Sequence, residues 1–174
     1  MSREEMDRME VVETEDGLHI AGIAIIRKGE RADRMEILLV EDDLEDANIT
    51  IQALRKGKIP CRLTLVCDGE EAARFLQRER EFARAPTPDL ILLDMLLPKK
   101  DGRELLAEIR NDERLKEIPV VVLTGSQVHR ALLEAEQLQV DGFMTKPVDL
   151  PKFIDVVRLL RQSWLTELVV AAVG

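Results

Sequence analysis

Five short apolar runs, separated by longer segments of helical period, constrain the fold of this chain more than any other feature. They read EILLV (36–40), RLTLVC (62–67), DLILLD (89–94), PVVVLT (119–124) and DGFMT (141–145). Segments 44–56, 69–84, 101–111 and 129–138 lie between them, rich in Ala, Leu, Glu and Arg, and 150–161 closes the series. Strand and helix alternating in this way spell βα units and hence a parallel sheet. LILL and VVVL carry no polar alternation, so both of their faces must be buried, as happens when helices cover both sides of a sheet. The expectation is an α/β fold, doubly wound about a five-stranded parallel sheet.

The helix limits have local causes. Asp68-Gly69 suits entry into the second helix, where Ala72, Ala73, Phe75 and Leu76 offer one apolar face, while Pro86 and Pro88 forbid its continuation. Asp149 is placed to cap the last helix, with Pro151 in its first turn and Phe153, Val156, Val157 and Leu160 along one face. Residues 1–34 form an N-terminal extension, either flexible or folded as a short hairpin over 9–27 with Asp16-Gly17 at its turn. Residues 162–174 form a C-terminal extension, where Trp164, Leu165, Leu168, Val169 and Val170 need a cover and make a candidate dimer contact.

Composition narrows the class. With 174 residues, 45% of them hydrophobic, the chain can bury one full core. The 34 acids against 25 Lys plus Arg give a net charge of -9, which argues against DNA and favours a cation or a basic partner. Cys61 and Cys67 are too few for a disulfide framework and read as buried small apolar groups. The N-terminus lacks the basic start and apolar run of a secretory signal, and no stretch approaches 18 charge-free apolar residues. A cytoplasmic protein without a membrane span is expected.

In an open parallel sheet, polar residues at the carboxyl ends of the strands meet at the topological switch point. Glu41, Asp42 and Asp43 follow the first strand, Asp94 ends the third, Thr124 ends the fourth and Lys146 follows the fifth. Gathered carboxylates repel one another unless protonated or countered by cations, and a hard, oxygen-ligated ion such as Mg²⁺ resolves that conflict. Asp94 could then attack phosphorus and form an acyl phosphate, with Lys146 neutralising a phosphoryl oxygen and the Thr124 hydroxyl bonding to it. Singly, each residue has a plainer reading: an acidic loop-and-cap run, a helix cap, a surface lysine. The conjunction favours a pocket. Asp43 is less tied to a metal than Asp42, because its side chain can cap the first helix. His19 and His129 read as surface or local hydrogen-bonding residues.

The motifs VEDD (40–43), DLILLDMLLPKKDG (89–102), VVVLTGS (120–126) and TKP (145–147) resemble the receiver domain of bacterial two-component response regulators, over residues 36 to 161. The resemblance implies a receiver domain at 35–161 with the flavodoxin-like fold and strand order 2-1-3-4-5. It makes Asp94 the phosphoacceptor, assisted by Thr124 and Lys146, and assigns Mg²⁺ to Glu41, Asp42, Asp94 and the backbone carbonyl of Leu96. Leu96 stands where the family often has a polar residue, which bears on the dephosphorylation rate. Phe143 takes the place of the switching aromatic, Lys146-Pro147 that of the cis bond, and Gly125 leaves the site open. LPKKDGREL, TKPVDL and SWLTELV resemble the phytochrome-associated single-domain response regulators. A phosphorelay protein is therefore expected rather than an enzyme. It takes its phosphoryl group from a histidine kinase, a phytochrome, and acts through protein contacts, as a homodimer. The alternative is a dimeric interaction module with a receiver fold that works without phosphorylation.

Overall fold

The computed structural model describes residues 12–14, 17–19, 35–56, 61–124, 126–146, 151–152 and 154–157. Five parallel strands form the main sheet: β1 (Met35–Val40), β2 (Cys61–Val66), β3 (Leu90–Asp94), β4 (Val120–Thr124) and β5 (Gly142–Thr145), in the order β2-β1-β3-β4-β5. This is the doubly wound arrangement expected of the sequence, with the order 2-1-3-4-5 of the flavodoxin-like receiver fold. Every residue of β1, β3 and β4 is buried, which explains their unbroken apolar runs. β2 and β5 form the edges and keep partly exposed positions.

Strand alternation sorts the core onto two faces. Leu38, Val40, Ile91, Leu93, Val120 and Val122 pack with Ala72, Phe75 and Leu76 of α2 (Gly69–Gln77) and with Leu105, Leu106 and Ile109 of α3 (Gly102–Asn111). Their neighbours Ile37, Leu39, Leu92, Val121 and Leu123 pack on the other face against Ala47, Ile51 and Leu54 of α1 (Leu44–Lys56) and Val157 of the closing helical segment. α4 (Gln127–Ala135) buries Leu133 alone among its residues.

Several boundaries differ from expectation. The second helix stops at Gln77, because Arg78 adopts a left-handed conformation (φ 57°) and its N–H bonds the Phe75 carbonyl. A 3₁₀ turn at Arg80–Phe82 follows, and Phe82 folds back edge-on to Phe75 with centroids 5.4 Å apart, so the apolar pattern runs on after the helix has ended. α4 begins two residues earlier than expected, because the Ser126 hydroxyl accepts from the Val128 N–H at 3.2 Å and caps it. Cys61 is half-buried, and Cys67 lies past the end of β2 and is exposed, against the expectation of two buried thiols.

Val12–Thr14 and Gly17–His19 pair antiparallel, and their last pair is Thr14 with Gly17, so Gly17 belongs to a strand rather than to the turn. The rest of the N-terminal extension, Gly125, Pro147, Asp149, Phe153, Leu160 and the extension 162–174 lie outside the described residues. No described helix is long and apolar enough to cross a membrane.

Candidate functional site

The carboxyl ends of β1, β3 and β4 converge because the three strands are neighbours in the sheet. β1 delivers Glu41, whose N–H is anchored on the Val66 carbonyl at 3.0 Å and whose Oε1 accepts the Asp43 N–H at 3.0 Å. Asp42, next in the chain, is exposed. Asp43 turns to the helix instead: its Oδ1 accepts from the N–H groups of Glu45 and Asp46 at 2.9 and 3.1 Å. It caps α1 and leaves the pocket to its neighbours.

Asp94, the last residue of β3, is only 5% exposed. Its Oδ1 accepts the Leu96 N–H at 3.1 Å, and its Oδ2 accepts from Lys146 Nζ at 3.1 Å. Lys146 also donates to Glu41 Oε2 at 2.6 Å and to Asp46 Oδ2 at 2.9 Å. One ammonium therefore bridges three carboxylates supplied by β1, β3 and α1. Its backbone N–H is fixed on the Thr124 carbonyl at 2.7 Å, which ties the lysine to the end of β4 as well.

The electrostatics follow from burial. Glu41 is 1% exposed, and desolvation pushes its carboxyl up to about 7. The Asp94 carboxylate pushes the same way, and the Lys146 hydrogen bond works against both without cancelling them. Burial opposes the charge on Lys146, yet the bonds to Glu41 and Asp46 outweigh it and hold the ammonium above its ordinary range.

Carboxylate oxygens of Glu41, Asp42 and Asp94 lie within 4.8 Å of one another, two of these residues buried and one open to solvent. An all-oxygen group of this size with one open side suits a hard divalent cation that retains waters. Leu96, two residues beyond Asp94, is 68% exposed, so its apolar group stands away from the core while its N–H stays bonded to the Asp94 carboxylate.

Two glycines let helix entrances approach main chain closely, one at Asp94 and one in the loop that follows it. A Cβ on Gly102 would lie 2.5 Å from the Asp94 carbonyl oxygen and 2.7 Å from the Met95 Cα. A Cβ on Gly69 would overlap the Lys100 carbonyl. The loop between β3 and α3 is held down further by Lys99, at φ 66°, whose Nζ pairs at 3.0 Å with Asp68, the N-cap of α2.

Of the residues expected at the site, Glu41, Asp42, Asp94 and Lys146 meet in one pocket. Thr124 is buried at the same sheet end, and its hydroxyl accepts the Ser126 N–H at 3.2 Å and bonds His129 Nδ1 at 2.5 Å. Phe143 is half-buried, with the Arg130 guanidinium 5.6 Å from its ring centroid. Asp46 escaped the sequence reading because a first-turn acid is ordinary helix chemistry; only the turn made by Asp43 aims it at Lys146. His129 does make a local hydrogen bond, and its partner, Thr124, is one of the residues expected at the site.

A family model described as "Response regulator receiver domain" matches residues 37–158. The response regulator Rcp1 of Synechocystis is 41% identical over 114 residues, covering 66% of this chain and 78% of that protein. A crystal structure of the Mn²⁺-bound form of Rcp1 superposes with a TM-score of 0.64 at 41% identity, covering 75% of this chain and 94% of that one. The phosphorylated cyanobacterial phytochrome response regulator RcpA gives a TM-score of 0.65 at 42% identity over 77% of this chain and 96% of its own.

Proposed function

Because the chain belongs to the response regulator receiver domain family and is closely related to the phytochrome-associated single-domain members, we propose that it accepts a phosphoryl group from a sensor histidine kinase onto Asp94. A receiver is a regulatory module whose own aspartate is the acceptor. The observation that carries the reading is Lys146 Nζ, which joins the Asp94 and Glu41 carboxylates at the mouth of the oxygen-lined group.

Phosphoryl transfer asks the protein mainly for position and charge compensation. The Leu96 N–H and Lys146 hold opposite oxygens of Asp94, so the carboxylate presents a fixed edge. An Asp94 oxygen forms the new O–P bond as the P–N bond to the donor histidine breaks and its electron pair returns to the imidazole nitrogen. Lys146 then neutralises a phosphoryl oxygen, and the Thr124 hydroxyl donates to another. Glu41, Asp42, Asp94 and the Leu96 carbonyl would hold Mg²⁺, which supplies charge neutralisation for the incoming phosphoryl oxygens. The Mn²⁺-bound form of Rcp1 and the phosphorylated state of RcpA support a divalent ion and phosphorylation here.

The kinase in this reading is a phytochrome, as the relatives suggest. Output runs through protein contacts of a homodimer that uses the last βα units and the C-terminal extension. Intact-mass measurement after incubation with acetyl phosphate and MgCl₂ tests the chemistry. One added phosphate, labile to hydroxylamine, is expected on the natural chain and none on Asp94→Asn. Equal labelling of both would overturn the assignment. Assembly that needs neither Mg²⁺ nor Asp94 would favour the phosphorylation-independent interaction module instead.

A further inference from the structure

Two consecutive residues in the first turn of α4 grip two side chains at the sheet end. His129 Nδ1 is bonded to the Thr124 hydroxyl at 2.5 Å, and the Arg130 guanidinium stands 5.6 Å from the centroid of Phe143. Thr124 ends β4 and Phe143 lies in β5, so one turn of helix touches both strands through these contacts. Beyond these contacts the helix is shallowly held: Gln127 Nε2 donates to Thr145 Oγ1 of β5 at 3.4 Å, Leu133 is its one buried residue, and Val128 and Leu132 are exposed.

The proton count at Thr124 makes the first contact consequential. Its oxygen already accepts the Ser126 N–H at 3.2 Å. The hydroxyl has a single proton to donate, and it can go to His129 Nδ1 or to a phosphoryl oxygen, not to both. With the Ser126 N–H already accepted, the hydroxyl's own proton is taken as directed to Nδ1 of an imidazole that carries its proton on Nε2.

We propose that His129 is a positioning residue that competes with the phosphoryl group for the Thr124 hydroxyl proton, latching α4 to β4 until Asp94 is phosphorylated. The inference rests on the phosphoacceptor reading of Asp94. Arg130 reinforces the latch from the neighbouring strand: it holds the Phe143 ring by a cation–π contact while its Nε pairs with Glu134 at 3.3 Å. When the threonine proton transfers its allegiance to phosphate, the histidine loses its partner and the first turn of α4 is released from β4. The state of the pocket is thereby passed to a helix that the core barely retains.

Calorimetric titration of the full chain with beryllofluoride in MgCl₂, a mimic of the phosphoryl group, tests the competition. His129→Ala abolishes the competing acceptor, so its apparent dissociation constant is expected to fall about fivefold, the worth of one net hydrogen bond. His129→Asn, whose amide oxygen stands near the position of Nδ1, is expected to restore the wild-type constant. In a Thr124→Val background, His129→Ala should change nothing. A second reading needs no phosphoryl mimic: the ¹⁵N resonance of His129 Nδ1 should report an unprotonated acceptor that shifts in Thr124→Val. An unmoved constant in folded His129→Ala, an effect that persists in Thr124→Val, or an unshifted Nδ1 resonance each overturns the latch alone. Failure of the natural chain to take up beryllofluoride overturns the phosphoacceptor reading, and the latch with it.

Discussion

Lys146 Nζ lies 2.6 Å from Glu41 Oε2, so two residues 105 positions apart form the shortest of the three bonds made by this ammonium. The bond does not keep Glu41 ionised through the acidic range, because burial and the Asp94 carboxylate outweigh it. The pocket therefore carries a proton that the unfolded chain would have given up.

Stability in chelator should consequently fall as the pH rises from about 4.5 to about 7. In that window the folded chain holds a proton on Glu41 and the unfolded chain does not, so each step upward favours unfolding. The total contribution is on the order of 3 kcal/mol. Lys146, shifted upward, retains its charge in both states over this range and adds no slope. Urea melts between pH 5 and 8 check the prediction, and Glu41→Gln should flatten the curve.

Asp46 holds Lys146 at 2.9 Å from a position that is 38% exposed. Such a pair is worth about 1 kcal/mol or less. Asp46→Asn should leave the unfolding midpoint nearly unchanged while freeing the ammonium for a phosphoryl oxygen. Time courses of acetyl phosphate labelling are expected to run about twofold to fivefold faster, a gain limited by the energy of that one pair. Slower labelling would show that the carboxylate serves the pocket rather than restraining its lysine.

Gly102→Ala places a methyl group against the main chain of Asp94 and Met95, which cannot swing aside as a side chain would. α3 must shift, at a cost of about 2–3 kcal/mol. Because the collision falls on the carbonyl of the proposed acceptor residue, labelling should slow in the protein that remains folded. Thermal melts and intact-mass kinetics on one preparation separate the two effects.

Arg110 offers the opposite case, a residue for stability without chemistry. Its side chain is 14% exposed and donates to the carbonyls of Gln139, Lys116 and Ile118, each at 2.8 Å, and to Asp141 Oδ2 at 3.1 Å. The guanidinium thus pins the end of α3 to the segments that lead into β4 and β5. Arg110→Met should cost about 2–4 kcal/mol in denaturant melts, because several carbonyls lose a charged donor. Arg110→Lys should recover only part of this, since one ammonium cannot span the fork. Beryllofluoride affinity should stay as it was.

The strands were legible in the sequence because complete burial leaves no polar alternation, and β1, β3 and β4 are buried at every residue. The pocket was legible for a related reason: a parallel sheet sends every strand end to one side, so Glu41, Asp94 and Lys146 had only one place to meet. Asp46 and His129 were not legible as parts of it. Each sits in the first turn of a helix, where the aim of a side chain depends on where the cap starts the turn. Asp43 and Ser126 set those starts through bonds that residue types alone do not reveal. The early end of α2 was hidden likewise, since no glycine or proline marks the left-handed turn at Arg78.

The burial gradient across the sheet has an evolutionary consequence. β1, β3 and β4 give the acidic pocket a frame in which almost any substitution is felt. β5 and α4 are shallowly seated, with Val128 and Leu132 already facing outward. Substitutions can therefore accumulate at surface positions of that flank across generations while the acidic pocket is inherited intact.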